Sequence, residues 1–365
     1  MKLQSMPFLE SAFPSDRLRQ MRALIERMPA FSPLLGELIQ VWFVVDASVI
    51  QGELRWRLGS RRNPDARSSL HESIESGLFV AIAPVWLKAE IEEHLEGIAA
   101  DEGVSVEAAR AEWVKIESQL HFYRPRTNGP EDREAKDPDD VPYKLASNEL
   151  GLPVYSKDSD FRAMQVPVIA VCLDLTARKY ARAASITTGV MFHSTVTVTF
   201  AAEALGAFCR IVKSVFSLLM RLPRPVQLAL VGLVAGLLVH PKSRARLVSG
   251  VRSICSKAAA VKPEILATAA QLIEELSAAQ ATAQQTRAEI LSALPSTRKR
   301  SALMHARAIL LTSKEPLSIG ELERRIRNRG YVSQARDFKG YLRRILRQSE
   351  QAREVSSGLW ELRAA

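Results

Sequence analysis

Cysteine is scarce in this chain. Three occur in 365 residues, Cys172, Cys209 and Cys255, far apart and with no Cys-x-x-Cys spacing. That excludes a disulfide framework and a cysteine zinc site, fits a reducing cytoplasm, and leaves three thiols expected to be buried. Long apolar runs are also lacking. The stretches 186–202 and Pro225–Pro241 are uncharged, but each is at or below the short end of the roughly 20 residues a membrane span needs. Lys2 is followed by no long apolar core, so no secretory signal peptide is expected. Acidic charge is in short supply at one end. Overall 50 Lys+Arg face 40 Asp+Glu, a net +10. From Pro295 onward there are 16 basic and 7 acidic residues, so the tail carries +9 and the first 294 residues only +1. A near-neutral body with a basic, polyanion-facing C-terminal module is implied. With 47% hydrophobic and 25% charged residues the chain is neither a disordered polymer, a fibre nor a polytopic membrane protein.

The length suggests two or three domains. Residues 1–40 read as a helical extension, in which Ser15-Asp16 can cap a stripe through Leu18, Met21, Leu24 and Ile25. Val41 to Val45 is a continuous apolar run ending on Asp46, the pattern of a buried parallel strand. Helical signals at 65–76, 84–96, 105–120 and 142–150 then alternate with strand signals at 78–83, 153–155 and 166–173. Such alternation predicts an α/β fold with a parallel sheet over residues 41–184.

Four carboxylates fall where that fold would gather them. Asp46 ends the first strand, Glu90 lies on the helix after the second, Asp140 begins a helix, and Asp158 follows the strand 153–155. Sites in open parallel sheets form outside the carboxyl ends of strands. Crowded carboxylates repel one another, and a hard divalent cation with oxygen ligands relieves that repulsion.

The segments VVDASVI (44–50), PVWLKAEIEEHL (84–95) and DDVPYKLASNELGLPVYSKDSDF (139–161) resemble the PIN-domain nucleases, as in the toxin ribonucleases of bacterial toxin–antitoxin pairs. The third piece carries most of the likeness: an acid opening a helix, Gly151-Leu152-Pro153, a strand, then Asp158-Ser159-Asp160-Phe161. The resemblance implies a PIN-like sheet and one or two Mg²⁺ or Mn²⁺ ions. Asp46, Glu90, Asp140 and Asp158 would be metal-binding and catalytic acids, with Asp160 supporting them. Ser48 and Ser156 would be the hydroxyls lining the site, and endonucleolytic cleavage of RNA the activity.

Residues 185–255 read as an apolar helical region. Buried core or an oligomer interface is the first reading and membrane contact the second. Residues 256–296 read as a helical linker with a weak coiled-coil seam through Ile265, Ala269, Leu272, Leu276, Ala279, Ala283, Thr286 and Ile290, a route to a homo-oligomer.

Residues 297–365 predict three helices and a hairpin. Ser318 and Asp337 can cap the second and third helices, Gly330 stops the second, and a Ser-Gly turn closes the hairpin. The third helix turns Phe338, Tyr341, Leu342, Ile345 and Leu346 inward and leaves Lys339, Arg343, Arg344 and Arg347 outside. Pro316-Leu317, Gly330-Tyr331, Phe338, Tyr341-Leu342 and Gly358-Leu359-Trp360-Glu361-Leu362 resemble the winged-helix modules of the HARE group. Basic residues on such a recognition helix suggest phosphate contacts through these four, to RNA or to DNA, with a solvated surface or a protein-docking winged helix as the alternative. The chain therefore reads as a cytoplasmic metal-dependent endoribonuclease with a basic winged helix. The alternative is a non-catalytic PIN scaffold that binds or regulates, with membrane association a further option.

Overall fold

The predicted alternation of strands and helices folds into an α/β unit. A computed structural model describes residues 8–28, 35, 38–126, 137–195, 263–295 and 300–363, apart from 62, 64 and 65. It divides into two compact units, Pro14–Ser185 with Ala281–Ala365, and Met1–Phe13 with Ile186–Gln280.

The first unit is built on a five-stranded parallel sheet of β1 (Val41–Val45), β2 (Phe79–Pro84), β3 (His121–Tyr123), β4 (Val154–Tyr155) and β5 (Val168–Ile169), in the order β3-β2-β1-β4-β5. β1 is central because all five of its residues are buried, which the run VWFVV permits and an alternating strand would not. It pairs with β2 in the register Val41 to Phe79 and with β4 in the register Val44 to Val154. Phe43, Phe79 and Tyr155 pack together in the core, Phe43 edge-on to Phe79 at 5.1 Å and tilted against Tyr155 at 4.9 Å. Helices Ala47–Leu58, Leu87–Glu102, Val106–Glu117 and Val141–Leu150 cover the sheet and bury Ile50, Leu54, Ile91, Leu95, Trp113 and Leu150. Gly151 ends the last of these helices at φ +63°, and a Cβ there would press on Met304 and Arg300.

Three local expectations are corrected. The chain after helix Val106–Glu117 adds the edge strand β3, which three residues are too few to signal by alternation. The last strand is confined to Val168–Ile169; the chain turns at 171–172 and is helical over 173–195, leaving Cys172 exposed instead of buried. Ser15 and Asp16 provide no side-chain cap to helix Arg17–Arg27. The Ser15 hydroxyl instead donates to Glu72 at 2.7 Å, where Arg182 also binds, so a buried carboxylate claims the hydroxyl.

The C-terminal residues belong to this same unit. Helices Ala302–Thr312, Ile319–Asn328 and Phe338–Arg347 pack with an antiparallel sheet of β6 (Leu317–Ser318), β7 (Ala352–Ser356) and β8 (Leu359–Leu362), ordered β6-β8-β7. Ser318 accepts from the Glu321 amide and Asp337 from the Gly340 amide, so both expected caps form. Phe338, Leu342, Leu346, Leu322, Ile326 and Trp360 fill a core of the module's own. Polar contacts seat the module on the parallel sheet. The Arg300 guanidinium donates to the Gly151 carbonyl at 2.7 Å, and the Gln351 amide donates to Glu149, which also accepts from the Tyr123 hydroxyl.

In the second unit Leu9, Ile186 and Ala279 form a small cluster with Phe13, Val190, Leu272 and Leu276. The Leu9 amide donates to Glu275 at 3.1 Å. Helix Pro263–Ala293 therefore covers part of its expected seam with residues of its own chain. Residues 196–262, which hold most of the apolar region with Cys209 and Cys255, lie outside the described residues, as do Arg298 and Lys299. Among the described residues no helix is long and apolar enough to cross a membrane.

Candidate active site

The strand order reverses direction at β1. The chain leaves β1 for β2 and β3 on one side, then crosses back to β4 and β5 on the other. The crevice at the carboxyl ends of β1 and β4 is thus a topological switch point. Asp46 sits at its floor. It directly follows β1 and is 5% exposed, a placement that demands hydrogen-bond partners. Two are present: the Ser156 hydroxyl, directly after β4, donates to its Oδ2 at 2.7 Å, and Ser48 donates to the same oxygen. A residue at each strand end fixes one carboxylate across 110 positions of sequence.

The other acids stand around that floor. Glu90 lies in the first turn of helix Leu87–Glu102, after β2, and accepts from the Tyr143 hydroxyl at 2.7 Å. Burial raises its pKa, and Asp46 and Asp139 raise it further against the Tyr143 bond. Asp140 ends the 3₁₀ turn Pro138–Asp140 that opens helix Val141–Leu150, and its side chain caps nothing. Its pKa is pushed up to about 7 by partial burial, then by Asp137, Asp46, Asp158 and Asp160. Asp158 is exposed beyond β4; its amide donates to Ser156, and its Oδ1 accepts from the Asp160 amide at 2.8 Å. Of the neighbouring acids, Glu92 is engaged by Arg110 at 3.0 Å, while Asp139, exposed like Asp158, adds its charge to the field at Glu90.

The sheet therefore brings Asp46, Glu90, Asp140, Asp158 and Asp160 to one end, with Ser48 and Ser156 holding Asp46. Like charges set against partial burial keep Asp140 and Glu90 from ionising as freely as they would in water. Among the described residues, however, no three His, Cys, Asp or Glu side chains stand close enough together to hold a metal ion as they are placed. Sequence reasoning missed Tyr143. Its position three residues after Asp140 on a helix puts both on one face, the signal that could have found it.

The four basic residues expected on the third helix of the C-terminal module are all exposed, opposite buried Phe338, Leu342 and Leu346. Lys339 lies 3.9 Å from Glu323 and Arg347 3.9 Å from Glu354, distances that leave both largely to solvent. Arg344 lies over the Tyr341 ring at 5.4 Å.

No family profile, no curated protein and no solved structure matches this chain.

Proposed function

We propose that the chain is a metal-dependent endoribonuclease of the PIN type whose basic winged helix engages nucleic acid. The observation that carries this reading is the convergence of five carboxylates on the switch-point crevice, with Asp140 raised to about 7 by partial burial and then by its acidic neighbours. An all-oxygen, anionic donor set suits hard Mg²⁺ or Mn²⁺. Asp46, Glu90, Asp140 and Asp158 would hold the ion, with Asp160 beside them. When bound there it supplies Lewis acidity toward a phosphodiester and a nucleophilic water at neutral pH. The protein's own part is positional. Ser48 and Ser156 fix the Asp46 carboxylate, and Tyr143 holds Glu90 by its hydroxyl. Asp140 and Asp158 line the open side, where an RNA strand would enter. Lys339, Arg343, Arg344 and Arg347 supply phosphate contacts that hold RNA or DNA without reading its sequence.

One observation favours a second reading, a non-catalytic scaffold with a binding or regulatory role: the absence, among the described residues, of three side chains already gathered for a metal. A single experiment separates the two. A mixed RNA pool is incubated with the full chain in Mn²⁺ or Mg²⁺, in EDTA, and with Asp46→Asn. Cleavage that needs the ion and Asp46 supports the nuclease. Undiminished cleavage in EDTA overturns it, and a folded wild-type chain that neither cuts nor binds Mn²⁺ supports the scaffold.

A further inference from the structure

The opposite, amino-terminal end of the sheet carries a cleft of opposite sign. A cavity of about 320 Å³ lies among the starts of β1, β2 and β3, helix Arg17–Arg27, and helices Ala302–Thr312 and Ile319–Asn328. A second, of about 600 Å³, shares Arg22, Glu26, Gln40, Trp42, Arg324, Asn328 and Arg329 with it. Both volumes fall in the range that holds a small organic ligand.

Six cations line the first cavity, Arg19, Arg22, Lys314, Arg324, Arg325 and Arg329, and Glu26 is the one carboxylate among its lining residues. Glu26 is already engaged by Arg22 at 3.3 Å. Arg324 and Arg325 share Glu321, each at 2.7 Å. Arg329 forms no ion pair among the described residues. Its guanidinium carbon lies over the Trp42 ring, 3.5 Å from the centroid, a cation–π contact that holds the charge without neutralising it. Lys314 also pairs with no carboxylate among the described residues, and like Arg324 and Asn328 it is solvent-exposed. Burial, with Arg300 and Arg22 nearby, lowers the Arg329 pKa to about 9.

Arg329 is the part-buried cation without an ion pair among the described residues, a costly placement, and an anion bound beside it and the exposed Lys314 would offset that cost. Guanidinium forks match phosphate oxygens in geometry as well as charge. The rest of the wall narrows the ligand class. Val80 is apolar and part-exposed, whereas Phe79 and Ile309 are buried in the cores; the amides of Gln40, Gln119 and Asn328 offer donors and acceptors, with Gln40 already donating to the Gly77 carbonyl and Gln119 bonded to His71. An inorganic anion has use for the cations alone; a nucleotide uses the amides and apolar wall as well.

We propose that this cleft binds a nucleoside polyphosphate, its phosphates on Arg329, Lys314 and the helix Arg17–Arg27 arginines and its base against the apolar and amide wall. The ligand bridges the parallel sheet and the C-terminal module, which each supply part of the wall. The site is independent of the carboxylate crevice and of whether that crevice cuts RNA. The same polyphosphate chemistry is offered by a free nucleotide and by the 5′ end of a triphosphorylated strand.

The test is calorimetric titration of the full chain in EDTA and low salt, which keeps metal chemistry out of the readout. The probes are ATP, GTP, inorganic triphosphate, adenosine, and a short RNA with either a 5′-triphosphate or a 5′-hydroxyl. Wild type is expected to bind ATP or GTP saturably and more tightly than triphosphate, with adenosine weakest. Arg329→Gln and Lys314→Gln are each expected to weaken binding about tenfold, the usual effect of removing one charge-assisted hydrogen bond. A circular dichroism melt checks that each variant is folded. Tighter binding of the 5′-triphosphorylated RNA than of ATP assigns the same pocket to strand ends; the reverse assigns it to free nucleotide. Absence of saturable binding by any polyphosphate overturns the proposal. So does binding unchanged in both folded variants, or binding abolished only when Arg343, Arg344 and Arg347 are reversed to Glu.

Discussion

The two ends of one sheet make opposite electrostatic choices. At the carboxyl end, Asp46, Glu90 and Asp140 crowd together with Asp158 and Asp160 beside them, and no cation is paired with Asp140 among the described residues. At the amino end, Arg329 and Lys314 gather with half-buried arginines and a single acid lines the cavity. Loops at carboxyl ends carry the acidic crevice, all of it from one stretch of 115 residues between Asp46 and Asp160. The basic cleft needs residues from Arg19 to Arg329, and it exists only because the C-terminal module is seated on the sheet. The acidic crevice is thus a property of the α/β fold, and the basic cleft a property of docking.

The largest effect expected from breaking this contrast is chemical. Asp46→Asn should lower Mn²⁺-dependent cleavage of RNA at least about 100-fold, measured by single-turnover rates. The asparagine oxygen can still accept from Ser48 and Ser156, so the melting temperature and nucleic-acid affinity should hold. Loss of fold in this variant would mean that Asp46 is structural.

Next comes the module's core. Leu342 is fully buried, and Leu342→Ala should cost about 2–5 kcal/mol in denaturant unfolding. If docking makes the basic cleft, the variant should lose polyphosphate binding while short-oligonucleotide cleavage persists. Equal loss of both would show that the two poles depend on each other.

A smaller effect is expected on the exposed basic helix. Arg343→Glu, Arg344→Glu and Arg347→Glu together should weaken nucleic-acid binding. They should also flatten its dependence on log salt concentration, by roughly 0.7–0.9 for each phosphate that is no longer neutralised. Fluorescence anisotropy across a salt series reads both. An unchanged slope would make this helix a protein-docking surface.

The smallest effect is a mirrored pH response. Asp140 has a folded pKa of about 7 against an ordinary value of 3.8, so the folded state holds the extra proton between them. Stability from this group is present at low pH and falls as pH rises through about 7. Asp140→Asn should therefore stabilise the protein at pH 8 and do little at pH 4, by about 1 kcal/mol after allowance for solvent screening. His305 runs the other way. Burial first, then Arg300 and Arg329, lower it to about 4 from 6.5, and its Nδ1 has no hydrogen-bond partner among the described residues. The unfolded chain gains that proton first, so stability falls as pH drops from about 6.5 to 4. His305→Gln should flatten the acid limb of a melting-temperature profile and leave the alkaline limb alone.

How much of this was legible depends on range. The run VWFVV, the caps Ser318 and Asp337, and the turn at Gly358 speak through neighbours within a few residues, so their elements could be read directly. The carboxylate positions were legible too, because in a parallel sheet the end of a strand specifies a place in space. β3 was silent because a three-residue strand has no period, and Ser15 misled because Glu72, 57 positions away, outcompetes the backbone for its hydroxyl. Sequence by itself determined most helices and strands β1, β2 and β4, which acids follow strand ends, and that the C-terminal module is basic. The tertiary structure alone decided that Tyr143 holds Glu90, that Ser156 and Ser48 share one oxygen of Asp46, and that Arg329 sits over Trp42. Periodicity and capping are local, whereas a buried polar group takes whatever partner the packed chain brings within about 3 Å, and no pattern along the sequence records that distance.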